Sequence, residues 1–271
     1  MEDIKVFDSI RQFAYSHNTI SNIKKGAFSM HTHNGYELIL IKKGDVTHVV
    51  EDRKYKLSKN DLIIIRPSLY HYIQVNGTTD YERYNILINE NAFKIDKLDE
   101  ISKEIEVINL SSNPTALELF NKIDFYKQNL NENEFKQVSI LLIKELFFNL
   151  SIYKEKNKQY SALSPILSQA LSYINENLFT IKSVEEIAKR LFVSSSFLFR
   201  IFKKELKTSP KKYINDKRLL SAQNLLCLGK TPMEIFEECG FNDYTAFYRS
   251  YVNFFGYPPS KEKTQNFLSV K

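Results

Sequence analysis

Two stretches of this chain repeat one plan, and that repetition limits the fold more than any other feature. SVEEIAKRLFVSSSFLFRIFKKEL, residues 183–206, opens with Ser183 and Glu186 in the S-x-x-E spacing of a capping box. Val184, Ile187, Ala188 and Leu191 follow at helical spacing, and the pattern breaks at Phe192 and Val193. Ser194 or Ser195 then caps a second helix with Leu198, Ile201 and Phe202 on its inner face. TPMEIFEECGFNDYTAFYRSYVNFFGYPP, residues 231–259, does the same: Thr231 and Glu234 in box spacing, Pro232 at the first helical position, Gly240 as terminator, Asn242 or Asp243 as the next cap, and Phe247, Tyr251 and Phe254 facing in. Each unit has the pattern of a helix-turn-helix, whose second helix enters the major groove of DNA.

Between them lies PKKYINDKRLLSAQNLLCLG, residues 210–229, with Tyr213, Ile214, Leu219, Ala222, Leu225 and Leu226 as a buried helical stripe. A long helix here holds the two units at a fixed distance. Charge sets this half apart. From Ser161 onward there are 16 Lys and Arg against 10 Asp and Glu, whereas residues 1–160 hold 22 of each. The whole formal excess of +6 therefore lies with the repeated units, the footprint of a polyanion partner.

The second unit is similar to the AraC/XylS family of transcription regulators in Ile235, the pair Gly240-Phe241, Asp243, Phe247, Arg249 and Phe254, followed by Gly256, Pro258 and Pro259. SPKKYINDKRLLSAQNLL, residues 209–226, resembles the family's connecting helix. The resemblance covers residues 165–262, with Phe236 where the family usually has Ala and Phe199 where it often has a small polar residue. It implies that both second helices enter successive major-groove faces. Ser195, Ser196, Phe199, Arg200 and Lys203 of the first unit, and Tyr244, Thr245, Tyr248 and Arg249 of the second, are then the DNA-binding residues. Arg is the natural bidentate partner of guanine, with a phosphate clamp as its alternative, and Lys203 touches a phosphate or only solvent.

The first ninety residues read as strands: ELILI (37–41), VTHVVE (46–51), DLIIIR (61–66) and YERYNILI (81–88), parted by turn signals at 42–45 and 58–61. After residue 115 the pattern turns helical. TALELFNKIDFYKQNL (115–130) comes first, then a segment over 132–156 that is apolar on more than one face and includes Leu142 and Leu146. One of its faces can cover the sheet while another, with Leu142 and Leu146, meets a second copy of the chain. KEKNKQYSALS, residues 154–164, is polar and without periodicity.

All five histidines lie in this half, at 17, 31, 33, 48 and 71. HTHNGYELILIKKG, residues 31–44, places His31, His33, Glu37 and Gly44 in the spacing H-x-H-x3-E-x6-G, and Pro67 and His71 follow in DLIIIRPSLYH. The resemblance implies a cupin-like barrel, in which this spacing matches the first metal motif of cupin enzymes. The same skeleton also occurs in the regulator family as the wall of an effector pocket. The two uses remain open on the residues alone. The pocket reading takes His31, His33, Tyr36, Glu37, Arg66 and His71 as effector-binding, since barrel mouths are ordinary ligand sites.

The expected architecture is an α+β two-domain chain. Residues 1–156 form a cupin-like effector-binding and dimerisation domain, 157–164 a linker, and 165–271 an all-α domain of two helix-turn-helix units joined by a helix. The expected function is sequence-specific transcription regulation, with a DNA operator, a carbohydrate effector, a homodimer and RNA polymerase as partners, and no catalytic residue, metal or cofactor. A metal-dependent cupin isomerase or dioxygenase with an appended helical domain is the alternative. Cys227 and Cys239 fall in helical patterns, as buried small side chains in a reducing compartment. The mixed, charged MEDIKVFDSI predicts no secretory signal. No apolar run reaches the roughly 18 residues of a membrane span, so a cytoplasmic location is expected.

Overall fold

The computed structural model describes residues 13–21, 28–77, 80–89, 106–153 and 159–262. The N-terminal half is built from β1 (Phe13–Ile20), β2 (Tyr36–Lys43), β3 (Val46–Val50), β4 (Arg53–Leu57), β5 (Asp61–Ile65), β6 (His71–Val75), β7 (Tyr81–Ile88) and β8 (Val107–Asn109), then α1 (Pro114–Asn129) and α2 (Glu132–Ile152). A short β9 (Ser161–Ala162) leads into the helical half. There α3 (Pro165–Glu176) is followed by α4 (Val184–Arg190), α5 (Ser195–Glu205), α6 (Pro210–Cys227), α7 (Pro232–Ile235) and α8 (Tyr244–Phe255).

The strands make two antiparallel sheets, ordered β1-β7-β2-β5-β8 and β6-β3-β4-β9. Alternation sends one set of side chains between them: Ile39, Ile41, Val46, Ile63, Ile65, Ile73 and Val75 share the inner core. The opposite set on the five-stranded sheet, Tyr36, Leu38, Leu40, Leu62 and Ile64, meets α1 and α2. Strands buried on both faces read as unbroken apolar runs, as β2 and β5 do.

Helix α2 corrects one expectation. Leu142 and Leu146, offered as the face that meets a second copy, are buried against the sheet together with Phe135, Ile143 and Phe147. The apolar side chains left outside are Leu141 at 65% exposure, Phe148 and Ile152 on α2, with Phe125 on α1. Spacings of seven and four place the three α2 residues on one stripe.

The four-stranded sheet packs its outer face on the helical half. Val49, Tyr70 and Tyr72 join Leu163, Leu167, Leu171, Phe202 and Tyr213 in one core. Part of the segment expected to be a plain linker is therefore structured: β9 pairs Ala162 with Arg53, and Leu163 N–H donates to Asp52 O. Residues 154–158 of that segment lie outside the described residues, as do residues 1–12 with MEDIKVFDSI. Polar composition hid the strand, because its stability comes from a distant partner.

Helix α6 spans both cores of the helical half. Tyr213 and Ile214 belong to the first, and Leu219, Leu220 and Leu226 to the second with Ile235, Phe247 and Tyr251. Arg218, midway along it, donates from its guanidinium to Leu178 O, Ile181 O and Gly240 O at 2.6–2.8 Å. It thus clamps the loop before α4 to the turn before α8. Gly240 has φ +80°, and a Cβ there would stand 2.7 Å from Phe179 O and 2.8 Å from the Arg218 guanidinium. Only glycine fits.

The caps match the sequence in part. Ser194 and Asp243 cap α5 and α8. Ser183 accepts from Glu186 N–H, but the Glu186 carboxylate takes the N–H of Lys182 instead of closing the box. Ser164 precedes α3 without a side-chain cap; its own N–H donates to Glu205. The helix expected to run to Gly240 ends at Ile235, and residues 236–240 continue as turns.

Candidate functional site

The first candidate site sits between the sheets. Alternation along β2 turns Glu37 inward, beside Ile39 and Ile41 of the inner core. His31 and His71 form an antiparallel bridge, each backbone N–H donating to the other's carbonyl at 3.1 and 3.0 Å. This pairing sets their rings 4.2 Å apart, and the His33 ring is 5.0 Å from that of His71. His33 Nε2 lies 3.4 Å and His71 Nε2 2.8 Å from Glu37 Oε2. The His71 contact, although the shorter, does not have the geometry of a hydrogen bond. Asn85 on β7 donates to Glu37 Oε1 at 2.7 Å.

The electrostatics follow from burial and neighbours. Burial pushes the Glu37 carboxyl up, but His71 and His33 outweigh it and hold it well below the usual carboxylate range. Burial first, and His71 second, lower His31 to about 4. His48 is buried completely and lowered well below the usual histidine range, again first by burial. Neither of its ring nitrogens has a hydrogen-bond partner among the described residues.

Of the six residues expected to bind an effector, four meet: His31, His33, Glu37 and His71. Tyr36 does not, because it is one residue out of phase with Glu37 and packs under α1 and α2. Arg66 does not either: it leaves β5 on the outward phase and stands 3.6 Å from Glu106, an acid that it shares with Arg53. Tyr70 and Tyr72, near in sequence, also point out of the barrel. Asn85 and His48 were not singled out from the sequence. His48 was findable, since VTHVVE reads as a strand and His48 shares phase with Val46 and Val50.

The second candidate site is the outer face of the helical half. On α5, Ser196, Phe199, Arg200 and Lys203 are exposed and Ser195 is half-buried. On α8, Thr245, Tyr248 and Arg249 are exposed and Tyr244 is half-buried, packed edge-on to Phe236. The inner faces, Leu198 and Phe202 on α5 and Phe247 and Tyr251 on α8, are fully buried. Arg218, which holds the two units in register, was not singled out either; only its three carbonyl partners reveal it.

The halves touch through more than apolar surface. Asn34, next to His33, donates to Leu220 O at 3.0 Å, Gln223 Oε1 at 3.0 Å and Asn224 Oδ1 at 2.8 Å, all on α6. Lys217 pairs with Glu51 at 3.0 Å, both ends nearly buried.

Two family profiles match this chain. One described as "AraC-like ligand binding domain" matches residues 23–121, and one described as "Helix-turn-helix domain" matches residues 187–265. Among curated proteins the chain is similar to the "Msm operon regulatory protein" of Streptococcus mutans, 36% identical over 115 residues, 42% of this chain and 40% of that one. That match spans less than half of the relative's own length. The "HTH-type transcriptional activator RhaS" of Mannheimia succiniciproducens is 24% identical over 247 residues, 86% of this chain and 88% of that one. The "Lactose operon transcription activator" of Staphylococcus xylosus is 22% identical over 228 residues, 80% of each.

Proposed function

This chain belongs to the AraC family of transcription regulators, and from that premise we propose that it binds a two-part DNA site through α5 and α8 under control of a small molecule held in the barrel. The observation that carries the DNA reading is the pairing of two exposed helix faces by one rigid element. Helix α6 and the Arg218 clamp fix α5 and α8 relative to each other, so a single chain addresses two successive major-groove faces. Arg200 and Arg249 read guanine, Ser196 and Thr245 read bases or phosphates, and Lys203 neutralises a phosphate.

The effector site is the buried polar cluster around Glu37 inside the barrel, formed by His31, His33, His71, Asn85 and His48. The unpartnered ring of His48 supports this, because a buried polar group without a partner calls for one from a ligand. A carbohydrate is the effector class we favour. The name of one relative, a lactose operon activator, points the same way. Asn34 joins the pocket wall to α6, so pocket occupancy and DNA affinity are coupled, and the coupling is reciprocal. We place the protein in the cytoplasm as a homodimer that contacts RNA polymerase at its promoters. The exposed stripe of Leu141, Phe148 and Ile152 meets a second copy. The enzyme alternative accounts for the histidines but leaves the two helix-turn-helix units without a use.

The test is selection of bound DNA from a random library by the purified protein, with and without a panel of sugars. The expected product is a motif of two parts whose centres lie about 34 Å apart, one helical turn. Failure to enrich any sequence under every condition overturns the DNA reading.

A further inference from the structure

The hydrogen bonds around the buried histidine cluster dictate where the ring protons sit. His31 Nδ1 is 3.0 Å from Ser29 O, His33 Nδ1 is 3.1 Å from Gly35 O, and His71 Nδ1 is 2.9 Å from Leu69 O. A carbonyl only accepts, so each of these nitrogens carries the ring proton, and in a neutral ring Nε2 is then a lone pair. Two of those Nε2 atoms stand 3.4 and 2.8 Å from one oxygen of Glu37, which Asn85 orients through the other oxygen. Lone pairs and an anion converging in a buried space repel one another unless a cation lies among them.

One proton resolves only part of this. On His33 Nε2 it donates to Glu37 Oε2 along a long 3.4 Å bond, and it leaves His71 Nε2 2.8 Å from the same oxygen without a hydrogen bond. The His31 ring, 4.2 Å from that of His71, would still face the cluster unprotonated. A metal ion resolves it for all four groups at once. One donor atom from each of the four residues lies within 4.8 Å of the others. Two atoms bound to one ion at roughly 2.0–2.2 Å are about 3–3.5 Å apart when cis or tetrahedral and about 4.4 Å when trans, so closure draws the widest pair together by between a few tenths of an ångström and about 1.5 Å, within reach of side-chain rotation. The carbonyl partners on Nδ1 and the Asn85 amide on Glu37 are the outer shell that orients metal ligands and fixes their tautomers.

We propose that His31, His33, Glu37 and His71 bind one divalent first-row transition-metal ion through three imidazole nitrogens and one carboxylate oxygen. This donor set suits Zn²⁺, Ni²⁺, Fe²⁺ or Co²⁺, and disfavours Ca²⁺ and Mg²⁺, which take oxygen ligands. The ion is a built part of a regulator's sensing pocket and implies no turnover. The proposal concerns the same pocket as the effector reading and is independent of DNA binding.

The experiment uses the full chain without an affinity tag, stripped with a chelator and then titrated with Co²⁺ and Zn²⁺. The expected result is one ion per chain retained through gel filtration, visible d–d absorption from Co²⁺, and a rise in melting temperature with added Zn²⁺. His71→Ala and Glu37→Gln should abolish the Co²⁺ bands. Asn85→Ala, which removes only an outer-shell partner, should weaken the metal roughly 10- to 100-fold. His31→Ala, at the partly exposed edge, serves if the more buried variants fail to fold by circular dichroism. Substoichiometric uptake without d–d bands, or uptake unchanged in the variants, overturns the proposal. A sugar panel titrated into the stripped protein separates the two readings: sugar binding without metal uptake overturns this one and leaves the effector site standing.

Discussion

Tyr70 of the barrel stacks on Tyr213 of α6, ring centroids 4.6 Å apart and planes inclined by 27°. Each hydroxyl reaches across the boundary between the halves. Tyr70 donates to Asp216 on α6 at 2.5 Å, and Tyr213 donates to Glu51 on the barrel. Glu51 also accepts from the Tyr70 N–H and pairs with Lys217. The turn after β3, the residue that leads into β6 and the helix that joins both DNA-facing units are thereby one polar network on an apolar bed.

Glu51→Ala should be among the most damaging single changes at this boundary. It leaves Lys217 nearly buried with no carboxylate, and losing one partner of a buried pair costs about 3–5 kcal/mol. Urea denaturation measures the loss. Tyr213→Phe removes one hydrogen bond and should cost about 1 kcal/mol. A cost for Glu51→Ala no larger than that of Tyr213→Phe would mean that the halves are not joined here in solution.

Acid should loosen the barrel. In the metal-stripped chain, burial holds His31 and His48 below the ordinary histidine value of 6.5, so below pH 6.5, and down to about 4 for His31, the unfolded chain binds more protons than the folded one. Their contribution is complete above pH 6.5 and is lost as the pH falls through that window. His48→Leu removes one of these groups and two unpartnered nitrogens. It should raise stability by about 1–3 kcal/mol and flatten the decline of the urea midpoint from pH 7 to pH 5.

Neighbouring leucines on α2 should behave oppositely. Leu142→Ala should destabilise the chain by about 2–5 kcal/mol, because it empties a buried position. Leu141→Glu with Phe148→Glu should leave the melting temperature of the monomer nearly unchanged and give monomers in sedimentation. A dimer mass that survives the double change removes this stripe from the assembly.

The two turns differ in one residue. Phe192 takes φ 56° at the place in the first unit where Gly240 stands in the second, and it is 95% exposed. Each turn carries the same bond from five residues back, Val193 N–H to Ala188 O and Phe241 N–H to Phe236 O. Phe192→Gly should therefore stabilise the chain by up to about 1 kcal/mol. Gly240→Ala should destabilise it by more than about 1 kcal/mol, since the new methyl meets Phe179 O and displaces Arg218. Thermal melts of the two variants check both signs.

On a selected DNA site, Arg200→Ala and Arg249→Ala should each cost about 1–3 kcal/mol and relax preference at one base. Lys203→Ala should weaken all sequences alike and reduce the slope of log affinity against log salt by about 0.9. Base-independent losses for both arginines in anisotropy titrations would reassign them to phosphates.

Much of this molecule is written in short-range pattern. Caps at Ser194 and Asp243, the glycine at 240, and apolar residues three and four apart specify the helical units locally, so the sequence was enough to place α5, α8 and their outward faces. The set His31, His33, Glu37 and His71 was also legible, because its spacing is a motif. What lay beyond the sequence is what depends on two-sided burial and distant partners. Strand β2 is buried on both faces, so its letters do not tell that Glu37 looks into the barrel while Tyr36 looks away. Helix α2 is apolar around more than one face, and only packing against the sheet assigned Leu142 inward and Leu141 outward. The partners of Arg218, the docking of β9 and the pairing of Glu51 with Lys217 join residues far apart in the chain. Their energy exists only once the chain has folded, so no local pattern announces them.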